Sequence, residues 1–93
     1  MTGAVRIVRE PSEFGTLKQG EILVCPATNP SWTPLFQRAG AVVVDSGGLA
    51  SHAAIVAREY GLPAVVGTGD ATHRIADGRL VELDGSAGIV RLL

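Results

Sequence analysis

The sequence is poor in cysteine and in aromatic residues: one Cys, one Trp, one Tyr and two Phe stand among 93 residues. A single cysteine, Cys25, excludes an internal disulfide. It has no ligand partners at metal-site spacing, so it reads as a small core residue. There is no basic run, and eight Lys and Arg against nine Asp and Glu leave a net charge of −1. Nothing therefore favours nucleic acid or an anionic membrane surface. Long hydrophobic runs are also missing, which excludes a helix of bilayer-spanning length. Residues 1–6 lack the basic-then-apolar order of a signal peptide, and the expected location is cytoplasmic by default. No internal repeat, low-complexity segment or linker breaks the chain. What the chain does have is apolar content, 46% hydrophobic, which excludes a disordered tail. One domain over residues 1–93 with a modest core is expected.

The most informative stretch is Gly47-Gly48-Leu49-Ala50-Ser51-His52, which runs into Ala53-Ala54-Ile55-Val56-Ala57-Arg58-Glu59-Tyr60 and closes at Gly61-Leu62-Pro63. It reads as a tight turn that launches a helix. Ser51 is a good N-cap, because its hydroxyl can accept from amides one turn on. Gly61 suits the left-handed position after a helix, and Pro63 blocks continuation. The helix is apolar nearly all round and is expected to be buried on most sides. His52 falls in its first turn, where amides lack intrahelical partners and the macrodipole is positive. An anion such as phosphate is stabilised there. The same field disfavours a cationic imidazole and leaves a nitrogen able to attack phosphorus. Gly47 and Gly48 let a bulky phosphorylated donor approach the backbone. From these local features two readings stand: a histidine that accepts and passes on a phosphoryl group, or a half-buried histidine beside a glycine turn.

The remaining chain supplies a frame. Residues 4–9 alternate apolar and basic as a half-buried strand does, and Pro11-Ser12 end it. Residues 14–17 form a connecting turn packed by Phe14 and Leu17. Residues 21–25 read as a buried strand stopped by Pro26. Ser31 can cap a short helix that takes Pro34 in its first turn, runs to about Arg38, and anchors on the core through Trp32, Leu35 and Phe36. Residues 41–44 are a continuous apolar strand after Gly40, and residues 64–66 are another. A strand, a crossover helix and a strand make a right-handed parallel unit, with His52 at the carboxyl end of the first strand. Gly67-Thr68-Gly69-Asp70-Ala71-Thr72 has the look of a phosphate loop, but lacks the lysine and the long helix of one, so a turn is expected. Asp77-Gly78 and Asp84-Gly85 are hairpin signals around two alternating segments, 80–83 and 88–92. The sum is an α/β fold with a mixed sheet, one buried helix after the glycine turn, one or two smaller helices and a C-terminal β-hairpin.

The stretch from Gly47 to Glu59, followed by Gly61-Leu62-Pro63-Ala64-Val65-Val66-Gly67-Thr68, resembles the phosphohistidine signature of phosphoenolpyruvate-utilising enzymes. That family includes phosphoenolpyruvate synthase, pyruvate phosphate dikinase and rifampin phosphotransferase. The resemblance reaches from about residue 20 to the C-terminus and implies the swivelling β/β/α phosphohistidine domain of these enzymes. It implies that His52 is the phosphoryl carrier, phosphorylated at Nε2, with Gly47, Gly48 and Ser51 shaping its turn. The segment from Ala27 to Pro34 resembles the family's T-x-P-x-W-x-P. By that likeness Thr28, or Asn29 beside it, hydrogen-bonds the imidazole and fixes which nitrogen is free. Equally, both residues can simply shape the loop before Pro30. In the relatives, an ATP-grasp nucleotide-binding domain and a barrel binding phosphoenolpyruvate or pyruvate, or a different acceptor site, exchange phosphoryl groups with this histidine. Mg²⁺ and ATP or phosphoenolpyruvate belong to those partner domains, and no cofactor is expected on this one.

Other residues are weighed against this site. Arg58 is nearly two helical turns beyond His52. It also belongs to the signature, and a structural pair with Asp or Glu is the first reading. Asp45 is expected to hold the glycine loop by an Asx-type turn and to point away from phosphate. His73 lies in a polar stretch and reads as an exposed histidine. Ala50 stands where dikinases carry a regulatory threonine, so that regulation is expected to be absent. The chain shows neither a nucleotide loop nor a carboxylate cluster. It is therefore expected to be a carrier subunit or a domain of a longer enzyme, not a complete catalyst. The rival of another class is a non-enzymatic interaction module with His52 structural.

Overall fold

Period-two alternation explains the heart of the molecule. In the computed structural model, which describes residues 1–93, β2 (Ile22–Cys25) and β3 (Ala41–Val44) are buried along their whole length. Alternate residues go to opposite faces. Ile22, Val24, Ala41 and Val43 join one core, and Leu23, Cys25, Val42 and Val44 join another. Strands covered on both faces need no polar side, which is why these segments are unbroken apolar runs.

The sheet has six strands in the order β4-β3-β2-β1-β5-β6. β1 (Thr2–Ile7), β2, β3 and β4 (Ala64–Val65) run parallel, while β5 (Leu80–Asp84) and β6 (Ile89–Leu92) add an antiparallel hairpin beside β1. The sheet curls until its ends nearly meet. A Cβ on Gly85, in the β5–β6 turn, would lie 3.1 Å from the Ala64 nitrogen. Val5, Val65, Val81 and Leu83 fill the inside of this curl with Ala71 and Ile75. Outside it, Trp32, Leu35 and Phe36 of the 29–36 segment and Ala53 and Ala57 of the long helix cover β2 and β3. This mixed sheet with helices packed against it is the α/β fold expected from the sequence.

Several local expectations change. β1 ends at Ile7, although Val8 is still fully buried. A 3-10 turn, Pro11–Thr16, follows it. Asn29, not Ser31, caps the next 3-10 turn, Pro30–Trp32: its Oδ1 accepts from the Ser31 amide at 2.9 Å and the Ser31 hydroxyl at 2.6 Å. A short helix, α1 (Thr33–Phe36), continues it. The 67–74 segment holds a one-turn helix, α3 (Ala71–Arg74). Asp77-Gly78 makes no hairpin. The Asp77 carboxylate instead accepts from the Ile7 amide and pairs with Arg6, which ties this turn to β1.

Candidate functional site

Parallel neighbours bring their carboxyl ends to the same edge of a sheet. β2 therefore delivers Ala27-Thr28-Asn29 beside the turn that leaves β3. That turn, residues 46–50, is exposed along its length, with Leu49 83% exposed. Gly47 sits at φ +94°, and a Cβ on it would meet the Ser51 Cβ at 2.8 Å. Only glycine lets the chain fold back this closely onto the helix cap.

The helix launched there is α2 (His52–Glu59). The Ser51 hydroxyl accepts from the Ala54 amide at 3.3 Å, so Ser51 is its N-cap as the sequence indicates. Gly61, at φ +69°, takes the left-handed turn beyond it. α2 is less covered than expected. Only Ala53 and Ala57 are buried, and Ile55 is 42% exposed, because the sheet and α1 lie along one side of the helix alone.

His52 is half-buried at the open end of α2. Its Nδ1 lies 2.7 Å from the Thr28 hydroxyl, and Nε2 has no hydrogen-bond partner within the chain. The Phe36 ring meets the imidazole edge-on, with centroids 6.2 Å apart and planes at 84°. One ring nitrogen is thus engaged, one ring side is packed, and the other nitrogen is free. The structure separates Thr28 from Asn29: Thr28 takes the imidazole and Asn29 takes the cap. Phe36 as a neighbour of His52 is not evident from the sequence. Its place one helix turn beyond Trp32 was the available signal, but only the contact of α1 with α2 reveals it.

The other candidates fall elsewhere. Arg58, in the last turn of α2, is exposed and makes no ion pair, so the expected structural pair is not formed. Asp45 does not close an Asx turn on the glycine loop. It faces the 67–72 segment and accepts from Thr68 and Thr72. Burial opposes its ionisation, but the hydroxyl and amide of Thr72 and the Thr68 hydroxyl outweigh that and hold its pKa below the ordinary value. His73 is exposed as expected, and buried Cys25 has its thiol pushed up to about 12. His, Cys, Asp and Glu side chains nowhere gather in a group of three that could hold a metal ion. No helix is long and apolar enough to cross a membrane.

Residues 17–88 match the model of the PEP-utilising enzyme mobile domain. The chain belongs to this family. The mobile domain is 55% identical over 90 residues to a phosphoenolpyruvate synthase of Aeropyrum pernix, a match covering 96% of this chain and 11% of that protein. It is 51% identical over 92 residues to an uncharacterised phosphotransferase of Bacillus subtilis, covering 99% and 11%. It is 58% identical over 91 residues to the chondramide synthase of Chondromyces crocatus, covering 98% and 2%. The chain thus spans about a tenth or less of the length of these curated relatives. Among solved structures, an NMR solution structure of an Enzyme I protein superposes with TM-score 0.72 at 34% identity, covering 85% of this chain and 33% of that one.

Proposed function

We propose that this mobile domain is a phosphoryl carrier. Nε2 of His52 takes a phosphoryl group at one site and yields it at another. The observation that carries this reading is the Thr28–His52 bond at 2.7 Å, which leaves Nε2 as the free nitrogen at the start of a capped helix. With Nε2 as nucleophile, the proton of neutral imidazole resides on Nδ1 and is donated to Thr28 Oγ1. A phosphorus–nitrogen bond then forms at Nε2 as the donor's bond to phosphorus breaks. First-turn amides of α2 and the side-chain-free Gly47 and Gly48 accommodate the arriving anion. Protonated imidazole is a good leaving group, so the phosphoryl group can move on.

The chain's own groups provide a nucleophile and a seat, not a cationic clamp. Arg58 is two turns from His52, so the cations that such transfers need come from partners. Those partners are an ATP-grasp nucleotide-binding domain and a phosphoenolpyruvate- or pyruvate-binding domain, or another acceptor, which handle Mg²⁺ and ATP or phosphoenolpyruvate. The domain swings between them. Names of the relatives, a phosphoenolpyruvate synthase and a phosphotransferase among them, support this reading.

The test is phosphate incorporation from labelled phosphoenolpyruvate. The Aeropyrum pernix synthase, with its own equivalent histidine replaced, serves as the phosphorylating partner. Wild-type chain takes up acid-labile, base-stable phosphate, and His52→Ala takes up none while keeping its fold. Uptake that survives His52→Ala and is lost in His73→Ala would reverse the assignment.

A further inference from the structure

Val44, Asp45 and Ser46 carry the chain out of β3 to the glycine turn. Their carbonyls accept from the amides of Thr68, Gly69 and Gly67 at 3.2, 2.8 and 3.2 Å. On the other side, the amides of Asp45 and Ser46 donate to the carbonyls of Cys25 and Pro26, each at 3.0 Å. The ladder thus runs on past the strands and stitches three exits together. One leads to Thr28, one leads to His52, and the third is the 67–72 segment.

That third exit is pinned by side chains. Asp45 Oδ2 accepts from the Thr72 hydroxyl at 2.6 Å, and Oδ1 accepts from the Thr72 amide at 3.1 Å and the Thr68 hydroxyl at 3.2 Å. Thr72 is 3% exposed and is the one polar side chain in the buried set. Arg9 donates to its carbonyl at 2.9 Å. The pinned segment lies close against the glycine turn. Gly67 is at φ +72°, and a Cβ on it would lie 2.9 Å from the Gly47 carbonyl oxygen. Gly47 in turn rests on Ser51, the cap of α2. Close backbone approach therefore links Gly67 to Gly47, and Gly47 to Ser51, the residue before His52.

We propose that Asp45, Thr68 and Thr72 are positioning residues for His52. They hold the 67–69 backbone against the glycine turn, which keeps Nδ1 on Thr28 and presents Nε2 to the donor. The proposal rests on the carrier reading and adds residues that lie outside the glycine–histidine turn. Without the Thr72 hydroxyl, a carboxylate oxygen loses its shortest donor. Asp45 then re-pairs, and the turn loses its brace.

The experiment uses the chain alone with potassium phosphoramidate, followed by phosphorus and nitrogen NMR on ¹⁵N-histidine protein. An imidazole nitrogen displaces ammonia: the reagent's P–N bond breaks as the new one forms. Exposed His73 in the same molecule is the internal reference. In wild type, His52 is phosphorylated faster than His73. Thr72→Val and Asp45→Asn lower the His52 rate several-fold, leave His73 unchanged and shift the His52 Nδ1 resonance. Thr72→Ser, which keeps the hydroxyl, restores both rate and resonance. Folded Thr72→Val and Asp45→Asn proteins with the wild-type rate ratio would overturn the proposal. So would loss of fold in both, which would make the cluster a folding element only. If wild-type His52 reacts no faster than His73, this proposal fails, whereas the carrier reading fails only if the partner synthase does not phosphorylate His52.

Discussion

A hydroxyl both donates and accepts, so Thr28 can stay bonded to His52 Nδ1 whether or not that nitrogen holds a proton. On the proposed carrier reading it accepts from Nδ1–H before transfer, and it can donate instead once phosphate is on Nε2 and the proton has left. Thr28→Val removes both roles and should slow phosphorylation of His52 about 3- to 10-fold, the worth of one ordinary hydrogen bond. Thr28→Ser should stay close to wild type. Single-turnover labelling measures both. Asp45 gives a second prediction at this scale. Its folded pKa lies below the ordinary carboxylate value, so its stabilisation is present above the unfolded value, near 3.9. That contribution is lost as pH falls through the lower folded value. Urea midpoints of wild type should therefore drop on acidification across that window, and Asp45→Asn should give a shallower drop. Glu21 keeps part of the slope, since the hydrogen bond from Arg6 depresses its pKa also. At the residue scale the sequence marked His52, Ser51 and the glycines, whose roles depend on neighbours in the chain. It left Thr28 and Asn29 undivided, because the bond to His52 spans 24 positions and exists only once β2 and β3 pair. It misjudged Arg58 and Asp45 for the same reason: an ion pair or a carboxylate's donors are fixed by the fold, not by spacing.

α2 carries the proposed site on its first turn, so the carrier reading makes the chemistry depend on what holds that turn. Ser51→Ala removes the cap on the Ala54 amide and should cost about 1 kcal/mol of stability in urea unfolding. Ser51→Asn should recover most of that. The helix was legible from its cap, its small apolar residues and Gly61. Its degree of burial was not. Ala, Ile and Val nearly all round suggest burial on most sides, yet helix cover depends on how many layers pack around it, and here the sheet and α1 lie on one side only. The strands read more truly. β2 and β3 are unbroken apolar runs because both of their faces are covered, and that pattern is visible in sequence. Asp77-Gly78 misled because turn chemistry reports a turn, not which strands it joins. Here the turn precedes β5, which pairs with β1.

The molecule as a whole is a curled sheet with two cores, one inside the curl and one beneath α1 and α2. Cys25 lies in the outer core at 0% exposure, with its thiol pushed up to about 12 by burial and the nearby Asp45 charge. It should resist a disulfide reagent in native buffer and react only through opening of β2. Its labelling rate should therefore rise with urea in step with unfolding. The sheet order was only partly legible, because the antiparallel docking of β5 on β1 joins residues far apart in sequence. The site survives this gap: Thr28 and His52 need only β2 and β3 side by side, with their carboxyl ends at one edge. In the proposed carrier state, Nε2 of His52 holds the phosphoryl group while Nδ1 stays on Thr28. Phosphorus–nitrogen coupling in ¹⁵N-histidine protein, phosphorylated by its partner and compared with His52→Ala, measures this most directly. A single phosphorus coupled to His52 Nε2, with His73 unmodified, is expected; coupling to Nδ1, or a phosphorus signal that persists in His52→Ala, would overturn the assignment.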